Sequence, residues 1–227
     1  MRLTGPLSLV TSLAVLPSIC MAGTQSEQLE NPIPETIRKG DLVVGVEEFV
    51  RAPRTSDSSE GGQTNPAYAR IQYLAPVRDG SGRLVLNDLR GPLYMTDESG
   101  RPPTVFLDLR DQNVGFDDSM FPNETGLVSV AFHPQFGRAG TPGFGKFYTA
   151  YSAGSDTGIA DYLDDDAESH ESVIREWTVT DPSADIFSGT SREVFRIGQF
   201  APNHNIGTIA FNPHAEVGSP DYGMLYA

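Results

Sequence analysis

The stretch Gly126–Pro134, GLVSVAFHP, returns as Gly207–Pro213, GTIAFNP, with its apolar run shorter by two residues and Phe132 recurring 79 residues later as Phe211. Each copy leads through a glycine-bearing loop into a second apolar run, GKFYTA at Gly145–Ala150 and GMLYA at Gly223–Ala227. These runs place β-branched and aromatic residues in near alternation, the two-residue period of a strand. Two further runs of the same kind, SVIREWTV (Ser172–Val179) and EVFRIG (Glu193–Gly198), fall between the copies, so one period holds four strand-like runs. Four antiparallel strands per repeat is the signature of a β-propeller blade, here on a longer period than the roughly 40–50 residues of common propeller repeats.

Upstream of the first copy the same grammar continues. IQYLAPV, RLVLNDL, PLYMTD and TVFLDL are separated by Asp79–Gly82, Arg90–Pro92 and Glu98–Gly100, all turn-forming sequences. The fold class is therefore all-β: a propeller of four-stranded antiparallel blades, of which about two and a half are present. Residues 70–110 hold most of one blade, 126–198 a full blade and 207–227 the first half of a third. The chain stops inside a strand-like run, and an open propeller leaves strand edges unpaired. Residues 69–227 thus read as a truncated propeller domain, the N-terminal part of a longer protein.

Composition agrees. Glycine and proline number 23 and 17 in 227 residues, above average shares of roughly 7% and 5%, as many short elements joined by turns require. The net charge of −14 argues against nucleic acid, whose phosphates need a positive face. Lys39 and Lys146 are the only lysines, so no polybasic membrane patch exists. The first 22 residues read as a signal peptide: Arg2, an apolar stretch from Leu7 to Leu16, and Cys20-Met21-Ala22 before a cleavage after Ala22. That stretch is too short to span a bilayer. A lipid anchor on Cys20 is the rival, with Pro17-Ser18-Ile19 a poor run-in. Cys20 is the sole cysteine, and an exported chain without disulfides suits a periplasm, or secretion. Residues 23–68 read as a polar extension containing one strand-like run, DLVVGVEEFV at Asp41–Val50.

Three segments carry a family resemblance: Ala69–Tyr94 (ARIQYLAPVRDGSGRLVLNDLRGPLY), ETGLVSVAFHPQF with GKFYTAYS, and NHNIGTIAFNP with YGMLYA. In order and spacing they resemble the soluble glucose/sorbosone dehydrogenases, six-bladed propeller enzymes that use pyrroloquinoline quinone, over about residues 68–227. The resemblance implies oxidation of a small sugar, an external electron acceptor, and a calcium ion whose ligands are expected beyond residue 227. The 227-residue chain alone is then expected to be inactive. His204, before the Gly-x-x-x-Phe strand, matches the catalytic base. An imidazole suits proton abstraction near neutral pH, and the quinone accepts the hydride that no side chain can. Glu124 matches a polar position that touches the quinone, and Asn205 lies beside the base in the same cofactor-binding loop.

Two residues depart from the family pattern. Ile206 stands where a second glycine is usual, which bears on how closely a flat cofactor approaches the backbone. An ionised Glu124 would repel a tricarboxylate, so it is protonated, bridged by a cation, or out of contact. These departures keep open a non-catalytic binding propeller, like the hedgehog-interacting proteins. A calcium-dependent lactone hydrolase trails, because the inner-strand starts offer His204 and Glu124 where it needs acidic and Asn metal ligands. No metal ligand set is assigned within the chain. His133 reads as structural; His170 and His214 lack partners at metal-ligand spacing. The acidic Asp161–Glu171 reads as a solvated excursion rather than a calcium loop.

Overall fold

The repeated runs become paired strands. The computed structural model describes residues 45–56, 68–118, 124–154, 159–163, 170–201 and 203–227. The chain divides into two units, 1–46 and 47–227, and every strand belongs to the second. The signal-peptide reading and Cys20 lie outside the described residues, as does most of the acidic stretch.

The first sheet is an antiparallel meander of β1 (Ile71–Pro76), β2 (Arg83–Asp88), β3 (Pro92–Asp97) and β4 (Thr104–Asp108). Its turns fall where the sequence places them. Asp79 Oδ1 accepts the Ser81 N–H at 3.0 Å and Asp97 Oδ1 that of Ser99 at 2.9 Å, so each aspartate closes its own turn. The second sheet joins β5 (Leu127–Phe132), β6 (Lys146–Gly154), β7 (Ala160–Leu163), β8 (His170–Val179) and β9 (Gly189–Gln199) in the order β5-β6-β8-β9-β7. A short hairpin of β10 (Ala210–Phe211) and β11 (Leu225–Tyr226) follows. A single turn of 3-10 helix at Leu109–Asp111 is the helical element among the described residues.

Strand register agrees with the 79-residue period: Phe132 pairs with Phe147, and Phe211 with Leu225, so the two phenylalanines hold equivalent places at the ends of β5 and β10. Two side-chain bonds recur in the loops that follow. His133 Nδ1 accepts the Gln135 N–H at 3.0 Å, and Asn212 Oδ1 accepts the His214 N–H at 2.9 Å. Thr141 Oγ1 donates to the Arg138 carbonyl at 2.7 Å, as Ser219 Oγ does to the Glu216 carbonyl at 2.8 Å.

The second sheet is packed on both faces, which explains why eight of the ten β8 residues are buried. One face meets the first sheet in the main core, where Val85, Leu93 and Phe106 oppose Leu127, Phe147, Val173 and Trp177. The other face carries Ala131, Ala150 and Ile174 against Ile209, with Ile206, Phe211 and Leu225 at the margin. Its serines let the next segment come close enough to bond, the Ile209 N–H reaching Ser129 Oγ at 3.1 Å. Where the first two sheets meet, Leu127 N–H donates to the Leu89 carbonyl at 2.8 Å. A Cβ on Gly126, at φ 129°, would lie 2.0 Å from that carbonyl oxygen, so only glycine fits there.

Two expectations need correction. Within Asp41–Val50, the described residues 45–50 form no strand, and Val46 is exposed. An apolar run alone does not make a strand without a sheet edge to pair with. Residues further on dock instead as irregular chain, with Thr55 N–H on the Tyr68 carbonyl at 2.7 Å and Thr55 Oγ1 on Asp88 at 2.7 Å. The acidic stretch is not a simple excursion either. Ala160–Leu163 pairs parallel with β9, Tyr162 stacks on Phe195 at 5.1 Å, and Arg192 pairs with Asp161. The second sheet therefore has five strands where four were expected.

His133 sits half-buried where the two repeated loops meet, its ring edge-on to Phe211 at 5.2 Å. Burial, and then Lys146, hold its imidazole below the usual range, against an opposing pull from Glu176. Its Nδ1 must also stay unprotonated to accept the Gln135 N–H. The folded state thus disfavours the proton: this contribution is complete above about pH 6.5 and is lost as pH falls toward the depressed folded value. The thermal midpoint should fall across that window, and His133→Asn, the sister loop's residue, should flatten it. Superimposable pH profiles for the two proteins would exclude His133 as the source.

Candidate functional site

The residues singled out in the sequence converge on the loop Asn203–Gly207 that leads into β10. His204 adopts a left-handed backbone, φ 62°, shared among described non-glycine residues only with Arg78. Its backbone N–H donates to Glu124 Oε2 at 2.6 Å, although the two are 80 residues apart, and both side chains are exposed. The next residue, Asn205, accepts at Oδ1 the Nε2–H of His170 at 2.8 Å. The one after, Ile206, donates its N–H to Ser172 Oγ at 3.2 Å and packs its side chain on the Ala131–Ala150–Ile174 cluster. Three consecutive residues are held by three different side chains.

Beside this loop lies a cavity of about 290 Å³, lined among others by Arg70, Gln72, Tyr73, Glu124, Asn205 and Ile206. That is near the low end of the roughly 300–1,000 Å³ usual for small-molecule sites. Glu124 and Asn205 line it; His204 does not, standing between them in the chain fold with its ring toward solvent. A larger cavity, about 660 Å³, lies where the loops leave β5 and β10, and holds none of the candidate residues. Its lining is mostly apolar, including Val85, Val130, Phe132 and Ile209, with Arg78 and Arg138.

Sequence reading missed His170, Ser172, Arg70 and Gln72. His170 is not in a solvated excursion: it opens β8 and is wholly buried. Its signal was the alternation His170, Ser172, Ile174 on one strand face, masked by the acidic residues before it. Among the described residues, no group of three or more His, Cys, Asp or Glu side chains is placed to hold a metal ion. No helix among them is long and apolar enough to cross a membrane. A scan against protein-family models matched none, and a search of curated proteins found no match.

Proposed function

We propose that this exported chain carries the base-bearing part of a quinone-dependent sugar dehydrogenase built as a β-propeller. The setting of His204 carries this reading. A non-glycine residue in the left-handed region costs about 1–3 kcal/mol and persists where the surroundings enforce it. Here Glu124 holds the backbone N–H, and the exposed imidazole stands on a loop whose next residue, Asn205, lines the cavity together with Glu124. The face-to-face packing of successive antiparallel sheets supports the blade architecture.

Pyrroloquinoline quinone is flat and carries three carboxylates, so a cradle for it needs flat walls, donors and positive charge. The cavity offers Tyr73 and Ile206 as walls, Arg70 as a cation, and Gln72 and Thr208 as donors. These residues fit one edge of such a molecule. Glu124, instead of needing a bridging cation, has the His204 N–H as its donor. When bound, the quinone supplies the hydride acceptor that the side chains lack. His204 takes the sugar hydroxyl proton and passes it to the solvent its ring already faces. Arg70 would orient an anionic group against the Tyr73 and Ile206 walls.

A second reading is a non-catalytic binding module. It is favoured by the engagement of both the Asn205 carboxamide and the Glu124 carboxylate inside the loop. The two readings separate on one experiment. The full-length protein is titrated with the quinone and calcium, and dye reduction is followed with several aldoses. His204→Asn keeps a residue tolerant of left-handed backbone and removes the base. It should bind the quinone as the wild type does, with reduction lowered by about 100-fold or more. Quinone binding without reduction of dye by any aldose in the wild type would favour the binding module, and no binding at all would end the quinone reading.

A further inference from the structure

We infer that His170 is a positioning residue, which sets the loop carrying His204 on the rigid start of β8. Its catalytic meaning rests on the reading above; its structural meaning does not. His170 is wholly buried, paired across the sheet with Gly154 on β6 and Gln199 on β9. A histidine there is costly to bury unless its polar ring is used, and it is used on Asn205. Ser172, on the same face of β8 and also buried, takes the N–H of Ile206. The strand thus grips two successive loop residues, immediately after the one that Glu124 grips.

The strand itself is well anchored at this point. Glu171, between the two gripping residues and on the opposite face, is paired with buried Arg196 of β9, which also holds Glu193. His170 does not line the cavity, and its bond to Asn205, which does, carries its effect to the site. Buried polar pairs of this kind specify one arrangement of a loop where an apolar pair would permit several. The register of the His204 ring is therefore set from β8.

The test pairs His170→Phe, which keeps a ring and removes the donor, with His170→Gln, which restores a donor. Hydrogen exchange of the amides of residues 203–207 is read by mass spectrometry on the unliganded full-length protein. The same protein, loaded with the quinone and calcium, gives kcat and KM by dye reduction. His170→Phe should speed exchange in that segment about tenfold. It should lower kcat about tenfold while leaving KM for the sugar unchanged, and His170→Gln should recover most of both. Should His170→Phe fail to fold, Asn205→Ala breaks the same bond from the loop side and should speed exchange alike. Unchanged exchange in the variant that breaks the bond overturns the inference, whatever the activity. Faster exchange in a protein whose wild type reduces no dye sustains the positioning role and removes the catalytic reading instead.

Discussion

Trp177→Ala should lower the free energy of unfolding by about 3–5 kcal/mol, the range for truncating a fully buried large aromatic. The ring is 1% exposed, stacks on Phe147 at 6.0 Å and 12°, and meets Phe187 edge-on at 5.3 Å. Its Nε1–H also donates to Thr149 Oγ1 at 2.9 Å. Truncation opens a cavity between the first two sheets and strips a buried hydroxyl of its donor, so two costs add. Trp177 is the only tryptophan, so the measurement belongs to circular dichroism in urea rather than to fluorescence. Trp177→Phe should fall between the two proteins, since it refills most of the volume and restores no donor. A loss below about 1 kcal/mol for the alanine variant would mean that the sheets close over the gap and that the core is not rigidly packed here.

Arg196→Ala should cost a similar amount by a different route. The guanidinium is wholly buried between β8 and β9, donating to Glu193 at 2.8 and 3.0 Å and to Glu171. Both glutamates are 4% exposed, and Arg175 also reaches Glu193. The intact cluster gains little net stability, because desolvation offsets most of its Coulomb attraction. Removing the cation alone leaves Glu171 without its partner and Glu193 with Arg175, at about 3–5 kcal/mol for a broken buried pair. Replacing the arginine and both glutamates together by apolar residues of similar volume should recover most of that loss. Urea titrations of the single and triple variants decide it: a single variant within about 1 kcal/mol of wild type would mean that water reaches the cluster.

The sheets were legible in the sequence because they depend on local signals. Alternation gave the strands of the first sheet, and Asp79 and Asp97 marked turns that their own carboxylates close. What misled was glycine. Gly126 and Gly207 look equivalent as letters, yet Gly126 is required by the Leu89 carbonyl, whereas nothing lies within 4 Å of where a Cβ on Gly207 would be. The site was legible in part: His204, Glu124 and Asn205 were singled out, and the fold brings the first two into hydrogen-bond contact. His170 was not, because its burial comes from Gly154 and Gln199, partners that only the sheet supplies. The acidic residues before it mask the alternation that Ser172 and Ile174 continue.

The outer strand of the second sheet has a final consequence. β9 runs for eleven residues, and β7, of four, pairs with it in parallel from Glu193 to Arg196. A strand that long, left bare, is a template for the chain of another molecule. The short parallel graft occupies the middle of that template, with Tyr162 stacked over Phe195 and Asp161 paired to Arg192. The acidic insertion that lengthens this repeat thereby serves as a guard on solubility, keeping the sheet from growing outward into its neighbours.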